Sequence, residues 1–395
     1  MADTATPTAP PVDVQALRER EFPHVGRAPY LNAASMGPLP ECARGAVEAY
    51  NLRRSRIHEM RGDDFDPTLQ RARAAAARLV NASPDEIALM PNTSHGLNLA
   101  AQCLPLEPGQ RIVVSDLEFP ANVYPWAQVA KEGRARVDVV RGDELGRPDP
   151  DRLMEELDRG DVGIFALSAV QFATGWLADL PAFGRFCRER GIWFVVDAIQ
   201  ALGSVPIDVR EARIDVLATG GHKWLCGPFG TGFAYVRREL VPRMEPRVVG
   251  WTAMRASADY ADCCDYRWEL VDDARRFEVA TQPFQDVAGF TASLELLLEV
   301  GPERIRQHVL GIVDPLAEWL AGRGEATVVS DMEPARRSGI FAFRFGDTAK
   351  AYAALRGARV QCLVREGSIR LSPHLYNTAE EVAVVRDVLE RPGEW

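Results

Sequence analysis

The sequence predicts an α/β protein with a seven-stranded, mostly parallel sheet and a smaller α+β domain behind it. Three observations carry that prediction. Between Glu86 and Val236, seven short runs of apolar and β-branched residues alternate with stretches of helical periodicity. These runs are apolar on successive residues, as in strands covered on both faces. Past residue 286 the pattern turns to two long helices followed by short strands, the mark of a second unit. A chain of 395 residues, 47% of them hydrophobic, has the material for two cores. The expected division is a lead segment over 1–20, a large domain over 21–285 and a small domain over 286–395.

In chain order, Met1–Val12 is rich in Ala, Thr and Pro and reads as a short lead. It has neither the basic start nor the apolar core of a secretory signal. Residues 13–29 read as a helix and a loop, and helical periodicity returns at Cys42–Arg54 and Pro67–Val80. The seven strand runs are Ile87–Met90, Ile112–Val114, Val137–Val140, Gly163–Leu167, Trp193–Val196, Val216–Ala218 and Phe233–Val236. Right-handed crossovers between parallel strands bring their carboxyl ends to one side, where ligands bind. Arg255–Arg276 has no clear period, and its neighbourhood is rich in aromatics: Trp251, Tyr260, Tyr266 and Trp268 are expected near the substrate entrance. Helices follow at Asp286–Val300 and Glu303–Leu320, then strands at Ala326–Val329 and Gly339–Phe345. A helix near Lys350 precedes strands at Val360–Val364 and Ser368–Leu371. The last helix starts at the capping box Thr378-Ala379-Glu380-Glu381 and buries Val382, Val385 and Leu389.

Composition excludes several function classes. A net charge of −10 disfavours nucleic acid and anionic membrane surfaces as partners. No apolar run is long enough to span a bilayer. The seven cysteines are scattered without a CxxC pair, so neither a disulfide framework nor a metal site is expected, and a reducing cytoplasm fits.

The chemistry centres on a lysine. The chain has only three, Lys131, Lys223 and Lys350, against many arginines. Arginine supplies charge but does not readily lose its proton, so a lysine retained in Gly220-Gly221-His222-Lys223-Trp224-Leu225-Cys226-Gly227-Pro228 points to amine chemistry, that is, a Schiff base with a carbonyl compound. Asp197 stands at the end of an apolar strand, either as a helix N-cap or as the partner of a protonated pyridine nitrogen. Gln200, one helical turn on, projects from the same side. Thr93, Ser94 and His95 open a helix after a strand: either the hydroxyls cap the helix or its free N–H groups hold an anion. Phe119 follows another strand and either packs in the core or stacks on a flat ligand. Arg370 lies in an apolar strand, so it needs a carboxylate from the protein or from a substrate.

The order of these motifs resembles the class V family of pyridoxal-phosphate enzymes. The most specific pieces are Asp197-Ala198-Ile199-Gln200 and His222-Lys223-Trp224-Leu225-Cys226-Gly227-Pro228. Glu118-Phe119-Pro120, Val170-Gln171-Phe172-Ala173-Thr174-Gly175 and Ile369-Arg370-Leu371-Ser372-Pro373-His374 look closest to the isopenicillin-N-epimerase-like and cysteine-desulfurase-like branches. The resemblance implies fold type I, pyridoxal 5′-phosphate as cofactor, and a homodimer. Carried over by position, Lys223 joins the cofactor and moves the Cα proton, Asp197 pairs with the ring nitrogen, and Gln200 donates to the phenolic oxygen. Thr93, Ser94, His95 and His222 hold the phosphate, and Thr281 reaches the phosphate of the neighbouring subunit. Phe119 covers the ring. Arg370, with Asn32 near it, binds the carboxylate of an amino-acid substrate.

Departures from the desulfurase pattern matter for the reaction. Gly220 stands where a phosphate-binding Ser is usual, and Phe172 stands where an Asn is usual, with Gln171 or Thr174 as candidate substitutes. The loop that carries the persulfide cysteine is missing, because Arg365-Glu366-Gly367-Ser368 runs almost directly into Arg370. The resemblance therefore implies lyase-type cleavage of a cysteine-derived or specialised amino acid. Epimerisation or transamination is the alternative within the family, and a non-catalytic cofactor-binding regulator is the alternative of another class.

Overall fold

The computed structural model describes residues 12–61, 66–258, 261, 262, 264 and 266–391. The chain opens with α1 (Val14–Glu21), α2 (Glu41–Ser55) and α3 (Asp66–Val80). The alternating region gives β1 (Ile87–Leu89), α4 (Thr93–Cys103), β2 (Arg111–Ser115), α5 (Tyr124–Lys131), β3 (Arg136–Val140), α6 (Pro150–Leu157), β4 (Val162–Ser168), α7 (Leu180–Arg190), β5 (Trp193–Asp197), β6 (Val216–Gly220) and β7 (Gly232–Val236). The C-terminal part holds α8 (Phe284–Val300), α9 (Pro302–Ala321), β8 (Ala326–Val328), β9 (Phe341–Phe345), α10 (Thr348–Gly357), β10 (Leu363–Arg365), β11 (Ser368–Leu371) and α11 (Ala379–Leu389).

All seven expected runs join one sheet in the order β1-β7-β6-β5-β4-β2-β3. Only β7 runs against its neighbours; the rest are parallel. Successive residues of the strands feed opposite cores, as a period of two requires. Phe165, Leu167, Phe194, Val196 and Leu217 face one side, with Phe183 and Cys187 of α7. Ile164, Ala166, Val195, Val216 and Ala218 face the other, with Leu97 and Ala100 of α4 and Trp126 of α5. Each fully buried Leu or Phe contributes about 2 kcal/mol by leaving water, which is why both faces of the runs are apolar.

One expected helix is absent. Between β5 and β6 the chain turns instead: the Ala201 and Leu202 N–H groups both bond the Ala198 carbonyl, at 3.0 Å each. Gln200 therefore sits on a turn, not one helical turn along a helix. The register ends Ser168 of β4 beside Asp197 of β5, and Asp197 beside Ala218 of β6.

The second sheet has the order β10-β11-β9-β8 and is antiparallel throughout. Its core joins Val313, Leu316 and Leu320 of α9 to Phe343, Ile369, Leu371, Val382 and Val385, and takes in Leu31 from the other end of the chain. The expected boundary at 285/286 falls at the start of α8, which packs on α2 and α3 and places Phe290 and Leu294 in the core of the large sheet. The expected strand at Val360–Val364 begins only at Leu363. Gln361 instead pairs with Tyr30, and Asn32 with Ser372, so the N-terminal segment runs alongside the small sheet. Among the described residues no helix is long and apolar enough to cross a membrane.

Candidate active site

The lysine turn follows β6. It is closed by bonds from the Gly221 N–H to the Thr231 carbonyl (2.7 Å), from Cys226 to Lys223 (3.0 Å) and from Gly227 to Gly221 (2.7 Å). The N-terminal segment lies directly on it, with the Gly37 N–H on the His222 carbonyl at 2.9 Å. A side chain at 37 is impossible there, because a Cβ would come 2.0 Å from the Lys223 carbonyl oxygen.

Asp197 is buried, and the Ile199 N–H donates to its Oδ1 at 3.0 Å. It caps a turn, not a helix. Burial raises its pKa to about 6, held back by that N–H and by the charge of Lys223. Lys223 keeps some surface exposure, yet the protein around it strips away enough water to lower its pKa to about 8. Asp197 opposes this fall, while Arg370 and Arg365 add to it. The Lys223 Nζ lies 5.4 Å from the ring centre of Phe119. Phe119 is 44% exposed, so it is not a core residue, and its ring meets Phe172 edge-on at 5.4 Å.

Gln200 is buried, and its amide is oriented by donors and acceptors that cannot be exchanged. The Trp224 indole N–H, a donor only, gives to its Oε1 at 2.9 Å, and its Nε2 donates to the Ala34 carbonyl at 3.1 Å.

At the start of α4 the cap is Asn92, whose Oδ1 accepts from the His95 N–H at 2.9 Å, so Thr93 and Ser94 are not the capping residues. The buried Thr93 Oγ1 has no hydrogen-bond partner. A Cβ at Gly220 would lie 3.3 Å from that oxygen and 3.4 Å from the His222 ring, so Thr93, Gly220 and His222 converge. Ser94 is exposed and His95 half-buried. Burial pushes the His95 pKa down, and burial with the charge of Lys223 does the same to His222, whose ring stacks on Phe229 at 5.4 Å.

Arg370 is 2% exposed on β11. Its Nη1 donates to the Phe172 carbonyl and its Nη2 to the Ser35 hydroxyl, both at 2.8 Å, while its Nε has no partner. No carboxylate lies within ion-pair distance of it among the described residues, so the protein-side carboxylate that the sequence allowed is not there. Burial, with Arg365 nearby, lowers even its pKa to about 10. The buried Oδ1 of Asn32 is also without a partner.

The expected substitutes for the missing Asn fail on geometry. The Gln171 oxygen accepts from the Ala173 and Thr174 N–H groups and from the Thr174 hydroxyl, and its Nε2 donates to the Leu117 carbonyl. Gln171 and Thr174 thus hold their own loop and do not fill in for the missing Asn. Thr281 is exposed and makes no side-chain hydrogen bond among the described residues. The segment before it is anchored by Glu278, which pairs with Arg73 at 2.8 Å inside the protein. Of the aromatic segment, Trp251, Tyr266 and Trp268 are exposed, while Tyr260 and Cys263 lie outside the described residues.

Sequence reasoning missed Phe172, Ser35 and Trp224 as supports of Arg370 and Gln200. They act through a carbonyl, a hydroxyl and an indole N–H whose targets are distant in the chain. It also gave no role to Glu118, an acid one residue before Phe119; a second acid just past an apolar strand, after Asp116, was the available signal.

A lysine and a buried aspartate at the carboxyl ends of two interior strands of a doubly wound sheet, with an anion cradle beside them, define a pyridoxal-phosphate-dependent enzyme of fold type I. The aminotransferase class-V family model matches residues 30–385, and the chain belongs to that family. It is 29% identical to a probable cysteine desulfurase of Methanothermobacter thermautotrophicus, over 94% of this chain and 96% of that one. It is 28% identical to isopenicillin N epimerase of Streptomyces clavuligerus, over 91% and 94%. The structure of a cystine C-S lyase in complex with its product, cysteine persulfide, superposes with a TM-score of 0.84 at 22% identity, over 93% of this chain and 99% of that one.

Proposed function

We propose that this enzyme cleaves a β-substituent from a cysteine-derived or specialised amino acid, a lyase reaction, with epimerisation or transamination as the other outcomes of the same site. The observation that carries the reading is Arg370, a buried guanidinium with no protein carboxylate to face. An amino acid's α-carboxylate supplies the missing charge, with Asn32 beside it.

The residues fit pyridoxal phosphate. The unpartnered Thr93 hydroxyl and the space above Gly220 make a cradle at a helix N-terminus, which suits a phosphate. When bound, the cofactor supplies an aldehyde to hold an amine and a ring that accepts electrons from Cα. Thr93, Ser94, His95 and His222 would hold its phosphate. Asp197 would hold a proton at the ring nitrogen, Gln200 would donate to the phenolic oxygen, and the exposed Phe119 would cover the ring and exclude water. Lys223, with its lowered pKa, holds a larger share of neutral amine near neutral pH than an ordinary lysine and would move the proton at Cα.

Cleavage without an internal sulfur carrier is supported by the hairpin joining β10 and β11. Its turn is only Glu366-Gly367, both in left-handed conformations at φ 45° and 73°. Cys226 and Cys362 are buried away from solvent.

A homodimer in which Thr281 reaches the partner's cradle belongs to this reading. Its support is the exposure of Thr281 and of the apolar Phe229 and Met36 beside the lysine turn. A cytoplasmic location is supported by the six free cysteines among the described residues.

The test is the visible spectrum of the purified enzyme during titration with cysteine S-conjugates and with plain amino acids. Lys223→Ala is expected to abolish both the visible band and turnover; full activity in that variant would sink the assignment. Keto-acid release from S-conjugates alone supports the lyase, and inversion of plain amino acids replaces it by the epimerase.

A further inference from the structure

One buried acid is used by none of these steps. Glu118 is 7% exposed and follows β2 through a turn in which Leu117 adopts φ 54°, a conformation rare for leucine. The turn is held from both sides: the Leu117 N–H donates to Asp116 Oδ1 at 2.8 Å, and Gln171 Nε2 donates to the Leu117 carbonyl at 2.6 Å. Backbone strain of this kind clusters at functional sites.

The turn delivers Glu118 to Ser168. The Ser168 N–H donates to Glu118 Oε1 at 2.7 Å, and the Ser168 hydroxyl donates to Oε2. Ser168 is the last residue of β4 and stands in register with Asp197, the last residue of β5. Two buried carboxylates thus sit on neighbouring strand ends. The groups that bear on Glu118 are Ser168, the Asn122 side chain and the like charge of Asp197. Lys223 acts on Asp197, and no cation pairs with Glu118 among the described residues. The corner holds two acids and one base.

We infer that Glu118 is a positioning residue that works through Asp197: clamped by Ser168, it sets a second negative charge behind the ring nitrogen, so that Asp197 keeps the ring proton in place. This rests on the reading of Asp197 as the partner of the ring nitrogen. A second carboxylate in the same water-poor corner raises the proton affinity of a group paired with Asp197. Burial already pushes the pKa of Glu118 up to about 7, with Asp197 adding to the rise. A cation arriving at Asp197 is what allows both acids to stay ionised.

The experiment uses two measurements on wild type, Glu118→Gln and Ser168→Ala. In protein loaded with ring-15N pyridoxal phosphate, the nitrogen's NMR shift reports its proton. Glu118→Gln is expected to move that shift toward the unprotonated form, as if the nitrogen's pKa had dropped by about one unit. Ser168→Ala, which removes a donor that favours the charged carboxylate, is expected to move it the same way by a smaller amount. In cofactor-free protein, the melting temperature of wild type should fall relative to that of Glu118→Gln as pH rises through about 5 to 8. A carboxyl whose folded pKa is raised costs stability once the unfolded chain can ionise it, and the glutamine does not ionise. An unchanged nitrogen shift, or an unchanged melting slope, overturns the inference. If Glu118→Gln does not fold, Ser168→Ala in the cofactor-free protein decides: loss of a donor should steepen the fall, and no change overturns the inference. Asp197→Asn separates the two readings. If it moves the nitrogen shift and Glu118→Gln does not, only the inference about Glu118 fails; if it too leaves the shift in place, the cofactor reading of Asp197 fails.

Discussion

The Lys223 amine is pulled in two directions. Asp197 would keep it charged; lost water and the two arginines, Arg370 and Arg365, strip its proton, and the second set wins, leaving the pKa at about 8. Only the neutral amine attacks an aldehyde. The rate at which cofactor-free enzyme captures pyridoxal phosphate should therefore rise with pH and level off just above about 8. Stopped-flow absorbance over a pH series measures it, and a midpoint near the ordinary lysine value of 10.5 would show that the surroundings do not act on the amine. Thr93 gives a second residue-scale prediction. Its buried hydroxyl costs desolvation and gains nothing until an anion arrives. Thr93→Val should leave the cofactor-free protein as stable as wild type or slightly more so. It should also weaken cofactor binding roughly tenfold or more, the effect of losing a hydrogen bond to a charged group. Calorimetry of the empty protein and a cofactor titration read the two halves, and equal affinity in both proteins would remove Thr93 from the cradle.

The elements explain what a sequence can and cannot disclose. The strands were legible because Ile164-Phe165-Ala166-Leu167 and Trp193-Phe194-Val195-Val196 bury residues on both faces, and that pattern is local. Lys223 and Asp197 were legible because their motifs are contiguous. After Asp197 the chain closes only a short turn, which Gly203 breaks at φ 104° before a helix can extend. The fate of Gln171 was not legible, since its oxygen is saturated by a loop whose shape only the fold determines. The isolation of Arg370 was half legible. Its burial follows from β11, but the absence of a facing carboxylate is a property of three dimensions. Glu118 lies at the far end of this scale, because its meaning depends on the register of two strands that it does not belong to.

At the scale of the molecule, the segment from Tyr30 to Gly37 joins the two sheets through the site. Leu31 is fully buried in the core of the small sheet, and Gly37 lies on the lysine turn. Leu31→Ala should cost about 2–5 kcal/mol of stability, as buried Leu-to-Ala changes do. It should also raise KM for substrate more than it lowers kcat, because Asn32 and Ser35 hang from the same stretch as the carboxylate pocket. Denaturant melts and steady-state kinetics check both; a stability loss with KM unchanged would uncouple the segment from the pocket.

The same segment sets an order of assembly. Residues near the start of the chain bond to Gln361 and Ser372, with the Leu31 N–H on the Gln361 carbonyl at 2.9 Å and the Ala33 N–H on the Ser372 carbonyl at 3.0 Å. During synthesis the early residues emerge first, but their partners come out almost last. Strands β2 to β6 pair with partners nearer in the sequence than Leu31 and Gln361 are, although β1 must wait for β7. The floor beneath the carboxylate pocket cannot close until the final helix is nearly free. A polypeptide ended before Gln361 therefore lacks the partners of Leu31 and Ala33 and, with them, Arg370.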